Sequence, residues 1–202
     1  MSKYTVILDA GHGTNTPGKR SPKFDDGTVL MEGVNNREIV ERLKKAFDDN
    51  SIDYFDCVAS NDDISLKTRV DRANALAKTK KCLYISIHSD AAGDGKTWHP
   101  ASGMSVYTSK GQTKSDELAE LLINELKENF KNEIKWRTDN TDGDQDKEEN
   151  FYVLKETSCP AILCEFGFHT NKEEAKLMLT PDFKNKIVLS VLYAVKKFEL
   201  KN

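Results

Sequence analysis

VILDAGHGTNTPGK, residues 6–19, runs an apolar stretch straight into a histidine, His12, set between two glycines. A histidine buried in a core has no need of glycine on either side. One that must turn outward at a strand end does, because the backbone there can take φ > 0 and another group can approach closely. The stretch therefore predicts a buried strand at 4–9, followed by a long polar loop at 10–31 that carries glycines 11, 13, 18 and 27. Loops of that length inside a compact domain are usually functional.

Outward from this motif, helical and extended patterns alternate. Val34, Ile39, Leu43 and Phe47 recur among charged residues at a period near 3.6, which predicts a helix from Glu32 to about Asn50. Residues 52–58 read as a second strand. Ser65 caps a helix through SLKTRVDRANALAK, and CLYISIHSD (82–90) reads as a central strand that delivers a second histidine, His88. Residues 103–109 form a shorter strand and 114–130 an amphipathic helix. FYVL (151–154) and PAILCEFGF (160–168) are further strand candidates, and helices near 172–180 and 183–199 close the chain. This alternation predicts an α/β domain in which helices cover both faces of a twisted, mostly parallel or mixed sheet. Ligands of such sheets bind in the crevice beyond the strand ends.

The totals narrow the function. In a chain of 202 residues, 30 basic and 33 acidic side chains leave a net charge of −3, which excludes the electrostatic footprint of a nucleic-acid binder. The four cysteines lie in apolar surroundings without CxxC spacing, so reduced core thiols are expected rather than a zinc knuckle or a redox pair. No signal-peptide or transmembrane pattern is present, and synthesis in the cytoplasm follows as the expectation. The polar run WRTDNTDGDQDKEEN (136–150), counted from Asp142, lacks the sixth-position glycine and the twelfth-position carboxylate of a calcium loop, and a solvated surface loop is expected there.

Three predicted strand ends carry His12, His88 and Glu165, and Glu32 stands at a helix start. Two imidazoles and a carboxylate make the ligand set of a catalytic zinc site, leaving a second carboxylate to act as base. Taken singly, each of these residues has a bland structural explanation; their joint placement does not. His99 and His169 compete for the same role and are read as supporting or surface residues. Asp9 or Asp90 could orient an imidazole. Loops 14–31 and 91–102, with Trp98, could wall a groove, and Arg20 or Arg137 could meet a substrate carboxylate; packing and solvation explain these three side chains equally well.

DAGHG (9–13), Glu32 with Asn36, RVDRAN (69–74), SIHSD (86–90), YVL (152–154) and PAILCEFGFHTN (160–171) together resemble the zinc-dependent N-acetylmuramoyl-L-alanine amidases, in order and over nearly the whole chain. GKRSP (18–22) is similar to the phage lysis enzymes of that group. The resemblance implies one Zn²⁺ held by His12, Glu32 and His88, with Glu165 as the catalytic carboxylate. It also implies hydrolysis of the amide between the lactyl group of N-acetylmuramic acid and L-alanine in peptidoglycan. The chain departs from the family pattern at Ser60–Asn61, at His169–Thr170 and in the acidic stretch before YVL.

Residues 1–202 are thus expected to form one catalytic domain with no separate wall-binding domain, acting on peptidoglycan and on neither nucleic acid nor membrane. Release through a permeabilised membrane at phage or prophage lysis is the expected route to the wall, with a bacterial gene product moved by another machinery as the alternative. A zinc peptidase cutting elsewhere in the stem peptide and a non-catalytic wall-binding module are the rival readings.

Overall fold

A computed structural model describes residues 2–202. Six strands form one mixed sheet in the order β2-β1-β3-β6-β4-β5: β1 Thr5–Ala10, β2 Tyr54–Asp56, β3 Cys82–Asp90, β4 Ser105–Thr108, β5 Lys147–Glu148 and β6 Ala161–Phe168. β2, β1, β3 and β6 run parallel, and β4 is antiparallel to β6. The expected α/β architecture is therefore present, in its mixed-sheet form.

Period-2 alternation sorts the strand side chains onto two cores. Val6, Leu8, Leu83, Ile85 and Ile87 face α1 (Glu32–Asp49), α3 (Lys114–Phe130) and α6 (Pro181–Lys201). Ile7 and Tyr84 face the other way, toward α2 (Leu66–Ala77) and the short α4 (Tyr152–Glu156). α5 (Lys172–Met178) joins the first layer beside β6 and α6. Ser65 caps α2 as expected, its hydroxyl accepting from the Thr68 N–H, and Thr113 with Asp116 forms a capping box on α3. No described helix is long and apolar enough to cross a membrane. All four cysteines are free and burial raises their thiol pKa values; Cys57, Cys82 and Cys164 are core residues as expected, whereas Cys159 is only partly buried.

Two expectations need correction. FYVL is not a strand: residues 152–156 form α4, with the Leu154 N–H bonded to the Phe151 carbonyl, and consecutive Val153 and Leu154 are both buried. Four apolar residues are too few for periodicity to separate strand from helix. The polar run 136–150 is not wholly irregular either, since Lys147–Glu148 pairs with β4 as a short parallel strand.

The end of β1 is fixed by a buried ion pair. Asp9, 1% exposed, accepts from the Arg69 guanidinium on α2, from the Tyr84 hydroxyl at 2.7 Å and from the Ser86 hydroxyl at 2.6 Å. Arg69 also donates to the Ala10 carbonyl at 2.9 Å and the Ile64 carbonyl at 2.7 Å. Removing one partner of such a pair leaves a buried charge without compensation, which typically costs 3–5 kcal/mol. Arg69→Met should therefore lower the unfolding free energy in urea by about 3–5 kcal/mol; a loss below about 1 kcal/mol, the range of an exposed pair, would contradict this role.

Candidate metal centre

The strand end that opens the sequence analysis is built as anticipated in one respect and differently in another. The residue with φ > 0 is His12 itself (φ 59), and neither flanking glycine is left-handed. Gly11 instead provides room: a Cβ there would lie 2.2–2.5 Å from three atoms of the His88 ring. Gly33 does the same for the helix start, because a Cβ on it would lie 2.0 Å from the Gly13 carbonyl oxygen. The strained His12 backbone is held by Arg37, whose guanidinium donates to the carbonyls of His12 and Gly33 at 2.8 Å and of Ser60 at 2.7 Å. Asn36 donates to the Gly11 carbonyl at 3.2 Å.

These contacts bring His12, Glu32 and His88 together. Glu32, 1% exposed, opens α1 with its N–H bonded to the Lys19 carbonyl at 3.0 Å. Its Oε1 lies 3.3 Å from His88 Nδ1, 3.7 Å from His12 Nε2 and 3.2 Å from the Ser89 N–H. Its Oε2 is buried without a hydrogen-bond partner. The two imidazoles meet edge to face, with centroids 5.0 Å apart. Donors on one tetrahedral ion at about 2.0–2.1 Å stand about 3.3 Å from one another. One donor atom from each of the three residues lies within 4.8 Å of the others, so the set fits a zinc-type ion.

The electrostatics agree with that fit at Glu32 and His12; at His88 burial alone would lower the pKa, but the Glu32 hydrogen bond and the Glu165 and Glu32 charges raise it, so a metal bound there displaces a proton from that ring. Burial would raise the Glu32 pKa, but the His88 hydrogen bond and the surrounding histidines bring it down to about 2, so it is a carboxylate at every working pH. Burial drives His12 down to about 4, against the attraction of Glu32, which leaves its imidazole neutral and able to ligate.

Glu165 sits opposite His88 in the β3–β6 register and is absent from the three-residue cluster. Between His88–Glu165 and Asp90–Phe168 the register shifts, and the extra β6 residue falls beside Gly167 (φ 89). Such bulges re-aim side chains next to sites. Burial pushes Glu165 up to about 8, and its Oε2 has no partner.

His169, read from sequence as supporting or surface, is fully buried behind Glu32: its Nδ1 lies 3.9 Å from Glu32 Oε2 and donates to the Ser89 carbonyl at 3.1 Å. His99 is exposed and accepts from the N–H of Ala101 in its own loop. Neither aspartate orients an imidazole. Asp9 is consumed by Arg69, Tyr84 and Ser86, while Asp90 accepts from Arg137 at 2.6 Å. Arg137 also donates to Ser105 and stacks over Phe168 at 4.5 Å, and Trp98 packs on Phe24 with centroids 4.8 Å apart, so both have packing roles. Arg20 contacts Asn15 at 3.2 Å. The sequence reading did not single out Arg37, Asp63 or Ser89; Asp63, 3.9 Å from His12 Nδ1, shares the Thr16 hydroxyl at 2.8 Å.

With the geometry defined, comparison places the chain among known proteins. Residues 6–197 match the family model described as N-acetylmuramoyl-L-alanine amidase. The endolysin of Bacillus phage SPP1 is 29% identical over 191 residues, covering 93% of this chain and 62% of that protein. A probable cell wall amidase, LytH, of Staphylococcus saprophyticus is 28% identical over 178 residues, covering 88% of this chain and 52% of its own length. The chain thus spans about half to two thirds of these relatives. Among solved structures, an N-acetylmuramoyl-L-alanine amidase from Clostridium difficile 630 superposes with a TM-score of 0.76 at 27% identity, covering 98% of this chain and 97% of that one.

The close approach at Gly11 gives a direct test. Gly11→Ala should fold normally by circular dichroism yet weaken zinc binding about 10–100-fold in competition with a chromophoric chelator, the range seen when ligand-orienting contacts are lost. Unchanged affinity would show that the His88 ring position is immaterial to the metal.

Proposed function

The chain belongs to the N-acetylmuramoyl-L-alanine amidase family, and on that premise we propose that it is a zinc-dependent hydrolase of the amide joining the lactyl group of N-acetylmuramic acid to L-alanine in peptidoglycan. The observation that carries this reading is the convergence of His12 Nε2 and His88 Nδ1 on the buried Glu32 carboxylate, with Glu165, its Oε2 buried without a partner, across the register from His88. In this proposal His12, Glu32 and His88 hold one Zn²⁺ and Glu165 is the catalytic carboxylate. Zinc bound there supplies a Lewis acid for the substrate carbonyl and a means of ionising water near neutral pH, against a pKa of about 15.7 in bulk.

The chain's own residues do the rest. Glu32 holds the two imidazoles in one geometry, and its single negative charge against neutral rings leaves a divalent ion with a net charge of about +1. Glu165, in a site where burial favours its neutral form, accepts the proton of the attacking water as the C–O bond forms. It then returns that proton to the alanine nitrogen as the C–N bond breaks, yielding a lactyl carboxylate and a free amine. A carboxyl whose pKa lies near the working pH suits both halves of that transfer. Arg37 keeps His12 aimed inward by bonding its carbonyl, and β6 with its bulge keeps Glu165 on the same side of the sheet as His88.

We propose that this domain acts on the cell wall, with peptidoglycan as its macromolecular partner. Digestion of purified peptidoglycan should release new L-alanine amino termini in step with muramyl lactyl carboxylates, and should stop on chelation and resume with zinc. New amino termini at another stem-peptide residue would instead identify a zinc peptidase. Glu165→Gln should keep the bound zinc and lower kcat by about 10²–10⁴-fold, the usual span for a lost general acid–base group; retained lysis would exclude the role given to Glu165.

A further inference from the structure

Toward the β5 edge of the sheet, at the end of the strands away from the His–Glu–His cluster, three aspartates converge. Asp116 comes from the first turn of α3, and Asp144 and Asp146 come from the acidic segment that precedes β5. One carboxylate oxygen of each lies within 4.8 Å of the other two. Oxygen ligands 2.3–2.6 Å from one calcium ion are at most about 5 Å apart, so this spacing is that of a shared hard cation.

The cluster is not an exposed acidic patch. Asp146 is 1% exposed, Asp116 6% and Thr108 0%, while Asp144 is half-buried and its Oδ2 accepts from the Gln112 amide at 3.1 Å. Asp146 Oδ1 and Asp144 Oδ1 are both buried without a hydrogen-bond partner. No lysine or arginine among the described residues forms an ion pair with any of the three, although Lys127 reaches the intervening Gln145.

The hydroxyl of Thr108 sharpens the point. It lies 2.6 Å from Asp146 Oδ2 and 3.1 Å from Asp116 Oδ1. A hydroxyl has one proton and can donate to one of these carboxylates only, so with both carboxyls ionised the other oxygen–oxygen contact has no hydrogen in it. Burying an anion without a partner is costly. Something must neutralise this cluster, a proton or a cation.

We propose that Asp116, Asp144 and Asp146 bind a structural Ca²⁺ that fastens the acidic segment to β4 and the start of α3. All the donors are oxygen, which selects a hard cation over zinc. The site escapes a search for calcium loops because its ligands come from two separate stretches of chain rather than from one twelve-residue loop. It is also separate from the hydrolytic cluster: Thr108 stands three positions along β4 from Ser105, the residue that pairs with Glu165. The inference does not rest on the proposed activity.

Thermal melting of the zinc-loaded protein in calcium-free buffer, with and without millimolar calcium, tests this. Calcium should raise Tm by several degrees, and isothermal titration should show one equivalent binding with Kd at or below about 10⁻⁴–10⁻³ M, the range of extracellular calcium modules. Asp144→Asn should abolish both responses while melting no lower than the parent without calcium, since it removes one of three like charges. Asp142→Asn, in the same segment but outside the cluster, should keep both. Absence of a calcium response in the parent, or an undiminished response in Asp144→Asn, would overturn the assignment.

Discussion

The architecture around the proposed metal turns on one buried carboxylate. Glu32 is charged, nearly inaccessible, and faces two imidazoles and a backbone N–H through one oxygen while its other oxygen has no hydrogen-bond partner. An ionised carboxylate in that position is stable only if cations or donors answer it. Its placement at the first residue of α1, where the helix dipole favours negative charge, offsets part of the cost. The His88 hydrogen bond and the neighbouring histidines offset a further part, and the divalent ion proposed between the three groups would offset the remainder. Gly11, Gly33, Arg37 and Asn36 are the means by which the backbone brings these three side chains within reach of one another.

Sheet order explains why distant sequence segments meet. β1 and β3 are adjacent and parallel, so the loop after β1 and the C-terminal end of β3 emerge side by side with His12 and His88. β6 is the next neighbour and places Glu165 against His88. Helix α1 begins directly over this edge because Gly33 allows it to rest on the Gly13 carbonyl. The Asp9–Arg69 pair then locks the end of β1 from the opposite face, so the layer that carries no ligand still determines where His12 points.

Much of this was legible in the sequence because it is local or periodic. The 3.6 period from Glu32 and the continuous apolar runs at 82–90 and 160–168 mark their elements, and the histidines and carboxylates at their ends mark the site. What was not legible depends on tertiary partners. Asp9 reads as a candidate imidazole partner until α2 places Arg69 beside it. Arg137 reads equally as a partner for a substrate carboxylate and as a solvated arginine until Asp90 and Phe168 engage it. FYVL has too few residues for its period to show, and only its burial beneath α2 reveals a helical turn. His12 hid its own left-handed backbone, because the glycines beside it offered an easier explanation.

X-ray absorption at the zinc edge of the zinc-loaded protein reads the proposed ligand set without reference to turnover. Two imidazole nitrogens and oxygen donors at about 2.0–2.1 Å, with no scattering atom at the roughly 2.3 Å of a thiolate, is the result predicted for His12, His88 and Glu32. A spectrum with sulfur in the coordination sphere, or with fewer than two imidazoles, would place the metal elsewhere in the molecule and contradict the account.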